Sequence, residues 1–248
     1  MIPKVINYCW FGKNQLPDEY KKYIDSWKKK CPDFEIKEWN EDNFNINENE
    51  FCKNAYQNKK WAFVSDYARL KIIYENGGIY LDTDVEIIKD LTPLIKDGIG
   101  FIGFQNYEQV ASGLGFAAEK HDRCIKIMLD MYDKCCFSYD LKKITCPILN
   151  TVALKKCGLK TGKQYSNRIQ KLDMIKVYPE TYFNPMNMDT RKCIITDNTY
   201  TIHHYSSTWT SEQAEKLRRL KKYIPDFILD YRTIYLSKKL VKNMEKIF

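Results

Sequence analysis

Residues 61–88 restrict the fold more than any other stretch of this chain: WAFVSDYARLKIIYENGG, then IYLDTDVEII. The first part has helical spacing. Phe63, Tyr67, Leu70 and Tyr74 form one apolar stripe, and Ala62, Asp66, Arg69 and Ile73 form a second. A helix with apolar residues on most sides must be covered on most sides. Asn76-Gly77-Gly78 is a stop signal for it. The second part reads as a buried strand, with Ile79, Leu81, Val85 and Ile87 on one face and Thr83 among them. Asp82, Asp84 and Glu86 then share the other face. Neighbouring same-face carboxylates lie about 7 Å apart in a strand. Burying them unpaired is costly, so positive charge is expected beside them.

The rest of the chain alternates in the same manner. Strands are predicted at 4–11, 34–39, 98–105 and 112–119, with short ones near 174–178 and 199–204. Helices are predicted at 16–32, 61–75, 121–135 and 147–157, with a polar loop after residue 39 and a helical tail broken at Pro225. Strands alternating with helices predict an α/β protein with a largely parallel sheet. The chain has 248 residues, enough for one such domain with an appendage. Its nine cysteines include no C-x-x-C pair. With no long apolar segment at the start, they predict free thiols in the cytoplasm. No stretch nears the ~18 apolar residues of a membrane span.

Several nucleotide and metal signatures are absent. No G-x-G-x-x-G follows the first strand. GLKTGKQ at 158–164 fails as a P-loop because three residues separate its glycines and Gln164 replaces Ser/Thr. DTDVE fails as an EF-hand opening because Ile87 and Pro93 stand where Gly and Glu are required. Asp82 and Asp84 are either ligands of a metal completed from elsewhere or a solvated acidic edge. Asp66 and Arg69, neighbours on one helix, are either a structural ion pair or a polar pair facing a cleft.

Three segments together carry a resemblance: IPKVINYCWFG, the 61–85 block, and TIHHYSSTW at 201–209. They resemble the family 32 glycosyltransferases, the DXD sugar-transferase group of capsule and surface-polysaccharide synthesis. The resemblance runs from residue 2 to about 120 and returns near 200–209. It implies a GT-A, Rossmann-like nucleotide-sugar fold over residues 1–210, with 211–248 as a basic helical extension packed on the same domain. It also implies a divalent metal, Mn²⁺ or Mg²⁺, a nucleotide-sugar donor, UDP-hexose first and GDP-mannose second, and retention of anomeric configuration. By position, Asp84 would bind metal directly, with Asp82 beside it. Asp66 and Arg69 would hold the donor sugar, supported by Ser65 and Tyr80. Trp10 would stack on the base, its alternative being a core residue at a strand end. His203, with His204 as runner-up, would complete the metal shell; the alternative is a strand-capping histidine beside a solvated one. Trp209 would cover the diphosphate and Ser207 would touch metal or phosphate. Asn7 stands where relatives often carry His, Ser-Ser-Thr-Trp replaces a Gly-Ser-Trp ending, and Thr-Cys-Pro at 145–147 stands where Thr-Gly-Pro is common.

The net charge is +8. Residues 216–248 hold ten Lys/Arg against three Asp/Glu, which places most of the excess in the tail. The tail is expected either to dock on an anionic inner-leaflet surface presenting a lipid-linked or other saccharide acceptor, or to be a solvated face on packing helices. A toxin-type transferase acting on protein is the enzymatic alternative. A nucleic-acid-binding protein is disfavoured, because the N-terminal half lacks basic clusters and carries the acidic strand.

Overall fold

A computed structural model describes residues 1–135, 137, 145–206 and 226–247. In chain order the elements are β1 (Val5–Cys9), α1 (Asp18–Lys30), β2 (Glu35–Trp39), α2 (Glu50–Gln57), α3 (Trp61–Asn76), β3 (Gly78–Tyr80) and β4 (Val85–Ile87). They continue with α4 (Thr92–Ile95), β5 (Gly100–Asn106), β6 (Gln109–Ala118), α5 (Arg123–Asp133), α6 (Cys146–Lys156), α7 (Lys163–Ser166), β7 (Gln170–Leu172), β8 (Ile175–Tyr178), α8 (Glu180–Phe183), β9 (Thr201–His203) and α9 (Asp226–Glu245).

One sheet has the order β2-β1-β3-β6-β5-β8-β7. Pairings β1–β2, β1–β3 and β5–β8 are parallel, and those involving β6 and β7 are antiparallel. Five strands therefore run one way, and β6 and β7 the other. The carboxyl ends of β1, β3, β5 and β8 share one edge. Helices cover both faces. One core joins α2, α3, α5, α6 and α9 residues such as Phe51, Leu70, Met128, Leu149 and Val241. The other joins Trp27 of α1, Leu94 of α4 and Phe183 of α8.

The acidic strand expected over Ile79–Ile87 is not continuous. β3 ends at Tyr80, and Asp82–Val85 form a turn in which the Val85 N–H donates to the Asp82 carbonyl at 3.0 Å. β4 then leaves the main sheet and pairs with β9. Continuing the strand would have kept both carboxylates on one buried face, so the break relieves the cost seen in the sequence. α1 anchors the departing strand: Trp27 Nε1 donates to the Val85 carbonyl at 2.7 Å, and Ser26 Oγ accepts from Ile87 N at 3.0 Å.

The polar stretch at 40–50 leads into an unanticipated helix, α2. Asn49 caps it by accepting from Cys52 N at 3.1 Å. α9 lies against α6, with Lys155 and Glu245 paired at 2.9 Å and Val241 and Met244 buried. The break expected at Pro225 lies outside the described residues. Asn7, one departure from the family pattern, is a buried clamp: Nδ2 donates to the Ile79 carbonyl at 3.1 Å and Oδ1 accepts from Trp39 Nε1 at 2.9 Å. All described cysteines are free thiols. No helix among the described residues is long and apolar enough to cross a membrane.

Trp27→Phe keeps most of the apolar contact but orphans the Val85 carbonyl. It is expected to cost roughly 1–3 kcal/mol, the penalty of an unsatisfied buried acceptor. Denaturant unfolding, compared with wild type at equal m-value, measures it.

Candidate functional site

Arg69 is the centre of one cluster. It lies on the sheet side of α3, buried, and its Nε donates to the Ser65 carbonyl at 3.0 Å. Its Nη2 reaches Asp66 Oδ1 at 3.0 Å and Asp82 Oδ1 at 3.2 Å. Tyr80 stacks under the guanidinium at 5.1 Å and donates its hydroxyl to Asp82 Oδ1 at 2.9 Å. Tyr80 is 1% exposed. It therefore orients Asp82 from inside and offers little surface to a donor. Burial raises the Asp66 carboxyl to about 6 against the pull of Arg69. Asp82 is also raised, by burial first, with Arg69 opposing and Asp84 adding repulsion.

Asp84 faces a second set of partners. Its Oδ1 lies 3.2 Å from His203 Nε2, and its Oδ2 accepts from Ser206 N at 2.9 Å. Burial pushes this carboxyl up, but His203 and the Ser206 N–H outweigh it and hold it at about 2. Burial pushes His203 down, yet Asp84 outweighs that and the imidazole is raised. Its Nδ1 is buried without a hydrogen-bond partner among the described residues. His204, one residue on, turns elsewhere. Its Nε2 meets Glu86 Oε2 at 2.9 Å, and its ring stacks on Tyr23 at 4.4 Å.

Asp82, Asp84 and His203 each offer a ligand atom, and these atoms lie within 4.8 Å of one another. Two carboxylates and an imidazole suit a divalent ion that keeps further positions for phosphate oxygen and water. The residues fit such an ion. Trp10 ends β1, partly exposed, with Nε1 donating to the Asn14 carbonyl at 2.7 Å and its ring 5.5 Å from Tyr20. Ser65 is partly exposed on α3. Ser207 and Trp209 lie outside the described residues.

Three contributors escaped the sequence reading. Gly113 on β6 approaches so closely that a Cβ would sit 2.7 Å from Asp82 Oδ2 and 3.0 Å from Arg69 Nη1. Its one signal was a glycine inside a strand pattern. Ser206 acts through its backbone, which leaves no sequence signal. Glu86 had been grouped with the aspartates, and only the β4–β9 pairing gives it to His204. The Thr-Cys-Pro departure also has a structural place. Cys146 Sγ lies 3.1 Å from both Ser112 Oγ and Asn150 Oδ1, packed where α6 meets β6, and burial raises the thiol to about 12.

Residues 17–99 match a family model described as a glycosyltransferase sugar-binding region containing a DXD motif. That stretch of the chain is thus similar to the sugar-binding region of DXD-motif glycosyltransferases. An uncharacterised glycosyltransferase of Acanthamoeba polyphaga mimivirus is 35% identical over 107 residues. That match covers 41% of this chain and 42% of the relative, so the chain spans less than half the relative's length. Among solved structures, PaToxG glycosyltransferase is 21% identical, with a TM-score of 0.51 over 62% of this chain and 69% of that one. This likeness concerns the fold, which is of GT-A type. A glycosyltransferase involved in glycosylation of the major capsid of PBCV-1 aligns at 12% identity and a TM-score of 0.43, covering 88% of this chain and all of that one. Asp82 and Asp84, the acidic positions of the DXD motif, thus sit at a turn beside a buried Arg–Asp pair.

The raised Asp66 predicts a pH effect. Its folded value, about 6, lies above the ordinary carboxylate value, so the folded state binds the proton more tightly than the unfolded chain. Ionisation above pH 6 therefore destabilises the fold, and protonation below it relieves that cost. Asp66→Asn removes this titration while Arg69 keeps Asp82. Wild type should gain on Asp66→Asn by a few degrees of Tm as pH falls from 7.5 to 5 (about 2–4 °C per kcal/mol at this size). Parallel thermal melts across that range test it.

Proposed function

We propose that this chain is a metal-dependent, retaining glycosyltransferase. It moves a hexose from a nucleotide sugar, UDP-linked in the first instance, to a saccharide or lipid-linked saccharide acceptor in surface polysaccharide synthesis. Residues 1–210 form the catalytic GT-A domain and 211–248 a basic extension packed on it. The observation that carries the reading is the convergence of Asp82, Asp84 and His203 within 4.8 Å, beside the Asp66–Arg69 pair. The likeness of residues 17–99 to a DXD sugar-binding region and the GT-A fold support it.

Asp82, Asp84 and His203 would hold a divalent ion, Mn²⁺ or Mg²⁺. When bound, that ion supplies Lewis-acid stabilisation of charge on a departing diphosphate. Arg69 is held by Ser65, Asp66, Asp82 and the Tyr80 ring, so its planar guanidinium is oriented before any ligand arrives. Preorganised donors of this kind strengthen charge stabilisation because they need no rearrangement during reaction. Asp66 accepts hydrogen bonds from sugar hydroxyls, and Arg69 meets sugar or phosphate oxygen. Ser65 and Trp10 would supply sugar and base contacts, Trp209 would cover the diphosphate, and Ser207 would touch metal or phosphate. Gly113 is required because any side chain there would strike Asp82 and Arg69. Retention proceeds by front-face substitution, in which a leaving diphosphate oxygen takes the acceptor hydroxyl proton. This route needs no nucleophilic side chain.

The extension supports a peripheral membrane location on the cytoplasmic face. Tyr231, Tyr235, Lys238, Lys239 and Lys242 recur at helical spacing on α9 and are exposed, with Leu236 beside them. Amphipathic aromatic rings beside lysines suit an anionic lipid interface.

A donor-hydrolysis screen over UDP- and GDP-sugars with Mn²⁺ tests the reaction. At least one donor should be hydrolysed. Chelator should abolish the activity, re-added Mn²⁺ should restore it, and Asp84→Asn should lose about 100-fold or more. Turnover that is undiminished by both chelator and Asp84→Asn refutes the reading. Liposome flotation tests the surface. Replacing Lys238, Lys239 and Lys242 together by Gln should weaken partition onto anionic vesicles by about 100-fold, at ~1 kcal/mol per residue.

A further inference from the structure

Beyond the carboxyl ends of β5 and β8 lies a cavity of about 280 Å³. Its walls are the β5–β6 hairpin at Gln105–Tyr107, the loop from Asn184 to Ile194, Tyr205, and Thr233 and Ile234 of α9. None of the described donor-site residues lines it. Yet Tyr205 is a wall shared with the DXD centre. Its ring packs edge-on to His203 at 4.2 Å, and the residues on either side of it hold Asp84: His204 N donates to the Asp84 carbonyl and Ser206 N to Oδ2, both at 2.9 Å.

The cavity is built as well as adjacent. Asn184 ties its walls together by donating Nδ2 to the Gln105 carbonyl at 2.9 Å and accepting the Tyr205 hydroxyl at 2.7 Å. Asn187 Oδ1 accepts from Asp189 N and Thr190 N, both at 2.9 Å, which folds the loop around the opening. These bonds leave other polar groups unused. The Gln105 carboxamide and Asn187 Nδ2 make no hydrogen bond among the described residues. Flat apolar faces from Tyr107, Met186 and Met188 stand beside them. Carboxamides beside aromatic and thioether faces match a ring with hydroxyls at its rim and C–H groups on its faces. The volume is near the lower end of the ~300–1,000 Å³ typical of small-molecule sites, which suits a sugar ring rather than a polymer. Among the described residues that line the cavity, the carboxylates Glu180 and Asp189 outnumber the one cation, Lys192, which disfavours an anionic ligand.

We propose that this cavity is the acceptor subsite, and that it holds an uncharged saccharide with one hydroxyl directed past Tyr205 toward the Asp84–His203 centre. The assignment rests on the glycosyltransferase reading above, but it concerns a different set of side chains and is tested without the donor.

The test uses the full chain labelled with ¹³C at its methionine methyls. The Met186 and Met188 signals are assigned from Met186→Leu and Met188→Leu. Methyl glycosides of galactose, glucose and N-acetylglucosamine are titrated separately, with glucose 1-phosphate as the anionic counterpart. At least one glycoside should shift Met186 or Met188 saturably, with a dissociation constant on the order of 1–10 mM. The signals of core residues Met128 and Met131 should stay in place, and this also reports that each variant is folded. Gln105→Leu should weaken that binding about tenfold, and glucose 1-phosphate should bind at least tenfold more weakly than the matching glycoside. No saturable shift with any of the three glycosides overturns the proposal. So does equal binding by Gln105→Leu, or tighter binding of the phosphate. A chain that hydrolyses a nucleotide sugar yet gives no methionine shift would refute the cavity assignment and leave the reaction standing.

Discussion

Two aspartates separated by one residue can persist at the edge of a buried sheet because a turn sends them to different partners. A continuous strand would have left both on one face, sharing whatever positive charge lay there. Instead Asp82 is drawn to Arg69 and Tyr80 on the α3 side, and Asp84 to His203 and Ser206 on the β9 side. The two carboxyls consequently move in opposite directions. Asp82, buried and beside another carboxylate, is pushed up, while Asp84 is held at about 2. Each is satisfied on one side only. The space between them, spanned by ligand atoms within 4.8 Å, is where a dication gains most from both.

Arg69 sets the terms for everything on the other side. A buried guanidinium is tolerated only when its donors are filled, and removing one partner leaves an uncompensated charge. Here the Ser65 carbonyl takes Nε, and Asp66 and Asp82 take Nη2, with the Tyr80 ring beneath. That demand explains why α3 is apolar around most of its circumference. It must pack against α2 and α5 on one side and against the sheet on the other, so that the Asp66–Arg69 pair is enclosed. It also explains Gly113, since β6 passes so close to the pair that a Cβ there would lie 3.0 Å from Arg69 Nη1. Ion pair, helix pattern and strand glycine are one constraint expressed in three places.

Much of this was legible in the sequence, and the exceptions share a cause. Helical spacing located α1, α3, α5 and α6 to within a few residues, and alternation located β1, β2, β5, β6 and β8. The Asp66–Arg69 neighbourhood followed from a spacing of three on a helix. The strand through Thr83 did not hold, because alternation describes faces and cannot register that a backbone leaves one sheet for another. α2 follows directly on a polar run whose asparagines suggested a loop, and one of them, Asn49, is its cap. Ser206 contributes only its N–H, which every residue but proline has. For Gly113 and Glu86 the residue type was visible, but the partner lay on an element whose pairing is long-range.

The two-stranded β4–β9 ribbon shows how a histidine 119 positions beyond Asp84 is placed against it. In a strand a slip of one residue exchanges the faces of every side chain, so adjacent His203 and His204 would trade roles. Val85 is paired with His203 and Ile87 with Thr201, and several contacts outside the ladder hold that register. Trp27 and Ser26 bind the backbone of β4 from α1. Glu86 takes His204 on the face away from Asp84, and Tyr23 stacks on the same ring. Arg191 then binds the carbonyls of His204 and Tyr205 from the loop that also lines the adjoining cavity. His204 is therefore not a spare ligand. By committing to Glu86 and Tyr23 it fixes which face its neighbour presents, and the register that aims His203 at Asp84 also sets Tyr205 between the carboxylate centre and the cavity.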